Sequence, residues 1–135
     1  MLQNRRPAND NFANRTSLTG SPVRVEGSNE GATTEPNEPQ FYHDMWSVWY
    51  SWVAPSNGAV RFVVVSTNFF PLGRLYTGAT LGDLELVTIA YAGTNRFKAE
   101  AGTEYQIRIA GEASTPFPPA VGIFELTMRP VHWPL

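Results

Sequence analysis

The sequence predicts an all-β protein, an antiparallel β-sandwich of jelly-roll-like character with about eight strands. Eleven Gly and eleven Pro in 135 residues place turn signals roughly every 8–12 residues. Residues 104–110 alternate, with Tyr105, Ile107 and Ile109 on one face and polar side chains on the other. No window keeps an apolar period of 3.6 residues over more than about two turns. Short strands joined by tight turns are therefore expected.

The first part of the chain is polar, and its strand signals strengthen toward the middle. Residues 1–22 are rich in Asn, Arg, Ser and Thr, which predicts an arm with at most a short strand near 16–19. A strand is predicted at 23–26, followed by a loop rich in Gly, Glu and Pro. Aromatic and β-branched residues fill 46–53, a turn signal follows at 54–58, and the next strand covers 59–66. The strands at 46–53 and 59–66 are predicted to form a hairpin.

The second half repeats this pattern up to an apolar tail. Pro116, Pro118 and Pro119 make the segment before the last strand a rigid loop. Pro130 and Pro134 are expected to prevent the tail from continuing a ladder. Strands are predicted at 72–77, 84–91, 96–99, 104–110 and 122–128. The chain is thus divided into an N-terminal arm (1–22), a β-sandwich domain (23–128) and a C-terminal apolar tail (129–135).

Composition excludes several classes of protein. Charged residues make up 16% of the chain and the net charge is -2, which argues against a disordered chain, a nucleic-acid binder and a membrane-surface protein. No run of apolar residues is long enough for a transmembrane helix. Cysteine is absent, so disulfides, thiolate metal sites and Cys nucleophiles are excluded. Arg outnumbers Lys nine to one, a bias that interfaces favour and that genomic base composition also produces.

An ordered set of short motifs spans residues 9 to 128. It comprises NDNFAN (9–14), LTG (18–20), NEGATTEP (29–36), SVWYSWVAP (47–55), LYTG (75–78), FKAEAGTEYQI (97–107) and AG (110–111). This set resembles the β-sandwich module related to bacterial pre-peptidase C-terminal (PPC) domains, which occur in large secreted and surface proteins. The resemblance implies a β-sandwich and a non-catalytic appendage with assorted binding roles.

Two departures from that family pattern concern loop carboxylates. Relatives often have an Asp near the position where this chain reads FFPL (69–72), and an Asn-Asp-Asp stretch where it reads AYAGTN (90–95). Calcium needs several oxygen ligands, so the resemblance carries no calcium site onto this chain. No cofactor and no metal are expected.

The sequence offers no set of catalytic residues. Its two histidines, His43 and His132, lie in a loop and in a proline-flanked tail, and the only sequence neighbour that could brace one is Asp44. The motifs of nucleophile elbows, zinc proteases and phosphate-binding loops are missing. The carboxylates are scattered, without the pair that a glycosidase needs. The chain is predicted not to be an enzyme.

The aromatic strand carries the most informative side chains. Trp46, Val48, Tyr50 and Trp52 share one face and are expected in the core, while Trp49 faces the other way between two serines. Three alternatives stay open for Trp49: covered by the loop at 27–45, anchoring a protein interface, or stacking on a sugar ring.

The chain ends and several loop aromatics suggest an interface. Ordering a polar arm of about 20 residues and a proline-broken tail costs on the order of 1–2 kcal/mol per residue, so we expect a partner subunit to hold them. The predicted interface residues are apolar positions of the arm, the loops, the tail and the strand that carries Trp49: Leu2, Phe12, Phe41, Tyr42, Trp49, Phe69, Phe70, Phe117, Val131, Trp133 and Leu135.

These observations predict a non-catalytic structural or interaction protein. The most concrete form is an accessory subunit of a large assembly, such as a phage capsid decoration (cement) protein. It would be complete at 135 residues, begin with its own Met, lack a signal peptide, form a homo-oligomer and bind neighbouring capsid subunits with arm and tail. The alternative is a secreted or cell-surface carbohydrate- or polymer-binding module excised from a larger protein, with Trp49, Tyr42 and Trp46 as platform candidates. Both place the protein on a virion or an extracellular surface, without nucleic-acid or membrane partners.

Overall fold

The computed structural model describes residues 6–39, 44–91, 93–112 and 120–131. Two single-turn 3-10 helices, Phe12–Asn14 and Leu81–Asp83, accompany the strands, and no helix within these ranges is long and apolar enough to cross a membrane. The strands are β1 (Thr16–Leu18), β2 (Val23–Ser28), β3 (Asp44–Val53), β4 (Gly58–Val65), β5 (Pro71–Thr77), β6 (Glu85–Tyr91), β7 (Gly93–Ala99), β8 (Glu104–Glu112) and β9 (Ile123–Pro130).

The strands form two packed sheets. The five-stranded sheet has the order β1-β3-β8-β5-β6, and the four-stranded sheet has the order β2-β9-β4-β7. Every pairing is antiparallel except that of β1 with β3. The predicted all-β sandwich is confirmed, but the predicted hairpin of 46–53 with 59–66 is wrong, because β3 and β4 belong to different sheets and do not pair.

Strand alternation decides which side chains form the core between the sheets. The inward-facing members of β3 and β8 (Val48, Tyr50, Ile107 and Ile109 among them) meet Phe62 and the inward-facing members of β9. Trp46 is half-buried and packs against this core, as the alternation predicts. Burial of these large side chains at about 1.5–3 kcal/mol each is the main stabilising contribution to the fold.

The division into arm, domain and tail remains a prediction, but the structure includes parts of the arm and tail in the sheets. Thr16–Leu18 pairs with β3, and β9 extends to Pro130, which lies opposite Val60. The last strand, predicted at 122–128, thus runs two residues further than predicted and ends at Pro130. A proline at the last position of a strand removes no donor that the ladder needs further along.

The sandwich has two distinct ends. At one end Asp44 lies opposite Glu112 and Ser28 lies opposite Ile123, and the connections after β2, between β4 and β5, and before β9 meet there. We call it the loop end. The other end, the turn end, carries the short turns at 54–57 and 100–103 and the segment at 78–84.

Candidate functional site

Trp49, whose role the sequence left open, is fully buried. The ring of Phe12 meets its indole edge-on at 5.0 Å between centroids, and Tyr76 of β5 lies at 6.3 Å. Leu81 and Leu84 pack against the same cluster. Trp49 is therefore covered and presents no exposed ring to a sugar or to a partner, but the residues of its cluster are Phe12, Tyr76, Leu81 and Leu84 and do not belong to the loop at 27–45.

The segment before β1, predicted as part of an arm across neighbouring subunits, is bound to its own sheet. Asn9 donates through Nδ2 to the Trp49 carbonyl at 2.9 Å, and the Trp49 N–H donates to the Asn9 carbonyl at 3.0 Å. The Arg15 guanidinium lies 4.3 Å from the centre of the Phe12 ring. The carboxylate of Asp10 accepts from the Thr33 N–H at 2.7 Å and from its hydroxyl at 2.8 Å. Residues 9–15 thus cover the outer face of the five-stranded sheet.

A buried ion pair fixes the loop after β2 onto the same face. Arg108 Nε donates to Glu38 Oε1 at 2.7 Å, both side chains being fully buried. The Ser47 hydroxyl donates to the same carboxylate oxygen, and the Glu35 N–H donates to Glu38 Oε2 at 2.9 Å. The Glu35 carboxylate in turn accepts from the Phe12 N–H at 2.7 Å. These carboxylates hold backbone and side chains together within the covered face.

Tyr76 lies on the outer face of the five-stranded sheet, beneath the covering segment, and its phenol is not suited to acid–base catalysis at neutral pH. Burial raises the pKa of the Tyr76 hydroxyl above its usual 10.0, and the nearby charges of Arg108 and Arg74 offset part of that rise. The hydroxyl has no hydrogen-bond partner among the described residues. Tyr76 therefore stays protonated at neutral pH.

Within the described ranges, no three His, Cys, Asp or Glu side chains come together as a metal site. Both candidate histidines, His43 and His132, lie outside the residues that the structure describes. The expectation that the chain is not an enzyme stays a prediction.

The loop end presents a group of exposed apolar side chains, which we call the loop-end patch: Met45, Val65, Phe70 and Ile123. They are between 41% and 51% exposed. Met45 and Pro71, the neighbour of Phe70, lie opposite the same residue of β8, whereas Val65 and Ile123 belong to the four-stranded sheet. Both sheets thus contribute, and grouped apolar exposure on a small protein is typical of an interaction site.

Asn29, in the loop after β2, joins this loop to the start of β3 and to the segment before β9. It is fully buried, its Nδ2 donates to the carbonyls of Trp46 at 2.9 Å and of Ala120 at 3.1 Å, and its Oδ1 accepts from the Gly122 N–H at 2.9 Å. Trp46 has a φ of 58° within a register shift of β3 between Met45 and Val48. A bulky residue adopts this left-handed conformation at a cost. The bulge that it creates directly follows the exposed Met45 in the strand.

The connection between β4 and β5 is held to β9 in a similar way. The Ser66 hydroxyl donates to the Ile123 carbonyl at 2.7 Å and accepts from the Asn68 N–H at 2.9 Å, while Asn68 Oδ1 accepts from the Ile123 N–H at 2.9 Å. Gly122, with a φ of 158°, lies so close to Asn68 that a Cβ would fall 2.5 Å from the Asn68 Cβ. Phe69 is buried in the core beside the exposed Phe70. The loop-end patch therefore rests on a rigid support.

A small pocket lies at the turn end. It has a volume of ≈ 130 Å³ and is lined by Trp52, Pro55, Val60, Val131 and their neighbours. Sites for drug-sized ligands usually measure about 300–1,000 Å³, so this pocket is too small for such a ligand.

The predicted interface residues are dispersed by the structure. Phe12, Trp49 and Phe69 are buried within the chain, which corrects their assignment from a partner interface to internal packing. Phe70 is exposed in the loop-end patch, and Val131 is half-buried at the opposite end. Leu2, Phe41, Tyr42, Phe117, Trp133 and Leu135 lie outside the described residues.

Sequence reasoning missed the other three members of the loop-end patch. Val65 and Ile123 stand at strand ends on the outward face, so strict alternation from the neighbouring core positions Val64 and Phe124 marks them as exposed. Met45 carries no such signal, because the bulge after it breaks the alternation of β3.

Comparison with known proteins gives structural matches only. No protein-family model matches the chain, and no curated protein matches it in sequence. Solved structures with a similar fold include PliG from Aeromonas hydrophila, a periplasmic lysozyme inhibitor of g-type lysozyme, at a TM-score of 0.55 and 15% identity, covering 84% of this chain and 95% of that one. The pre-peptidase C-terminal domain of collagenase from Bacillus anthracis matches at a TM-score of 0.52 and 12% identity, covering 85% of this chain and 96% of that one.

The chain has a PPC-like fold. The resemblance that motifs between residues 9 and 128 indicated is thereby confirmed for the fold. A PPC-like sandwich supplies a rigid frame whose function resides in its loops and faces, so function has to be argued from those surfaces.

Proposed function

We propose that this chain is a non-catalytic module that binds a partner protein with its loop-end patch. The observation that carries the proposal is the exposure of Met45, Val65, Phe70 and Ile123 on a support pinned by buried or paired polar groups. A preorganised apolar surface loses little conformational entropy on binding. Aromatic residues and Met are enriched in protein interfaces.

The comparisons support protein binding as a role for this fold. The PliG structure belongs to a lysozyme inhibitor, which acts on another protein, and it is described as periplasmic. We therefore also propose a location outside the cytoplasm for this chain. Candidate partners are a capsid subunit, as predicted from the sequence, and a second copy of the chain. No observation among the described residues favours either.

The carbohydrate alternative is weakened by two of its three aromatic candidates. Trp49 is fully buried, and Trp46 is half-buried against the core. Tyr42 lies outside the described residues. The structure therefore supports protein binding better than stacking of these rings on a carbohydrate.

Site-directed photocrosslinking tests the proposal. Benzoylphenylalanine replaces Phe70 in one variant and Ile123 in another, and each is irradiated in extracts of cells that produce the chain. A third variant carries the photoreactive residue at Leu86, an equally exposed apolar position on β6 near the turn end. We expect one defined protein adduct from positions 70 and 123 and none from position 86.

Competition separates specific from random capture. Excess unlabelled wild-type chain should abolish the adduct, whereas excess of a Phe70→Ser, Ile123→Ser double variant should not. Mass spectrometry of the adduct then identifies the partner. Equal labelling from position 86, or an adduct that the double variant competes as well as the wild type, would overturn the proposal.

A further inference from the structure

The outer face of the four-stranded sheet carries a row of three arginines. In the register of β4 with β7, Arg61 lies opposite Arg96, and in the register of β4 with β9, Arg61 lies opposite Arg129. The residues on either side of Arg61, Val60 and Phe62, point into the core, so the row faces outward. With neighbouring strands about 4.8 Å apart, the three side chains start within about 10 Å of one another.

This row is electrostatically unfavourable for the chain by itself. Like charges directly opposite each other on neighbouring strands are destabilising. The described acidic residues of this face are Glu26 and Glu125, on β2 and β9. Glu125 forms an ion pair with Arg24, with 2.7 Å between Glu125 Oε2 and Arg24 Nε. The face also carries Lys98 on β7. Its described side chains thus hold five positive and two negative charges, although the chain as a whole has a net charge of -2.

Arg61, at the centre of the row, has an unmet hydrogen bond. Its Nε is buried and has no partner among the described residues, and a buried unpaired donor is uncommon in native proteins. Since Arg61 is half-buried between two arginines, an anion on this face would provide the acceptor that the fold does not supply.

We propose that this face, the arginine face, binds a linear acidic polysaccharide across β7, β4 and β9. Carboxylates of the polymer would accept from Arg61 and from its neighbour Arg129, whose planar guanidinium forks suit oxygen pairs, while Arg96 adds positive charge beside them. The proposal rests on different residues from the loop-end patch: Arg61 is four residues from Val65 along β4, and Arg129 is six residues from Ile123 along β9.

The composition of the face favours a polysaccharide over a nucleic acid. Proteins that bind single strands stack bases on aromatic side chains, and none of the described outward residues of this sheet is aromatic. Nucleic-acid-binding domains are usually strongly basic overall, whereas this chain has a sequence pI near 5.6.

Binding to alginate, a polymer of carboxylated sugars, tests the proposal. Titration of the full chain is compared with dextran as a neutral polymer and with a single-stranded oligonucleotide. We expect binding to alginate alone, weakened by salt as expected for exposed charges. Arg61→Gln should weaken it about tenfold, the loss expected of one charge-assisted contact.

Arg24→Gln is the matched control, because it removes one positive charge from the same face outside the row. It should change alginate affinity less than about twofold. Thermal unfolding of both variants shows that each is folded. No binding to alginate, equal loss from both variants, or tighter binding of the oligonucleotide would each overturn the proposal.

Discussion

Asn29 shows how one side chain organises a surface to which it does not itself contribute. Its amide reaches Trp46, Ala120 and Gly122, which are between 17 and 93 residues away in sequence. Because it is fully buried, each of these groups would be left unpaired if the amide were removed. The amide thus helps to position Met45 and Ile123, which neighbour Trp46 and Gly122 in the chain.

Replacing Asn29 with Ala should therefore destabilise the chain strongly. Loss of two buried hydrogen bonds and one partly buried one predicts a decrease of about 2–4 kcal/mol in the free energy of unfolding, measured by urea denaturation. Asn57→Ala is the control, since that exposed residue accepts one hydrogen bond from the Ala101 N–H. The control should lose less than about 1 kcal/mol, and equal losses would contradict the role given to Asn29.

The sequence does not reveal this role. Asn29 lies in a stretch rich in Gly, Glu and Pro, where asparagine is an ordinary turn residue. Its partners become visible only when β2, β3 and β9 are placed in register. The same holds for Trp49, whose outward direction follows from alternation, while its cover of Phe12 and Tyr76 comes from distant segments.

At the scale of strands, alternation predicts well on which face of the sheet a side chain lies, but it does not predict which residues lie beside it on the adjacent strands. The inward direction of Tyr105, Ile107 and Ile109 follows from period two and is confirmed. Arg61, Arg96 and Arg129 are each outward by the same rule, but their alignment depends on the pairing order β7-β4-β9. The order is set by long-range packing, so the row of charges is a property of the sheet.

Converting one member of the row into a carboxylate should stabilise the sheet while weakening polyanion binding. Arg129→Glu replaces a repulsive pair with Arg61 by an attractive one, which predicts a gain of about 0.2–1 kcal/mol in the free energy of unfolding. Thermal and urea denaturation measure it. Arg24→Glu, which sets two carboxylates together at Glu125, should instead lower stability. A gain for both, or a loss for Arg129→Glu, would refute repulsion within the row.

At the scale of the whole molecule, residues 9–15 and the loop after β2 form a layer over the five-stranded sheet. Asp10 and Glu35 join residues 9–15 to the loop after β2, and Glu38 joins that loop to Arg108 of β8. The covering of the sheet by its own chain explains why residues 9–15 need no neighbouring subunit for order. The entropy cost of ordering the arm, taken without these contacts, predicts a neighbouring subunit that residues 9–15 do not need.

Limited trypsin digestion tests this attachment. The bond after Arg15 should resist cleavage, since that side chain lies over Phe12 and reaches Glu104 at 3.4 Å. Phe12→Ala removes the ring that anchors the segment, so it should make the same bond cleavable in a chain that is still folded. Mass spectrometry of the fragments and circular dichroism give the two readouts. Rapid cleavage after Arg15 in the wild type would show that the segment is detached.

The short parallel strand β1 has a consequence for how copies of the chain behave toward one another. β1 lies outside β3 and pairs with Tyr50, Ser51 and Trp52. Without it β3 would become an exposed sheet margin, and the stretch from Met45 to Val53 has four aromatic residues and no charge. Such margins recruit further strands edge to edge and seed fibrous aggregates. Proteolytic loss of the first 18 residues would therefore produce an aggregation-prone fragment. By pairing with β3, the N-terminal segment protects the protein against self-templated polymerisation.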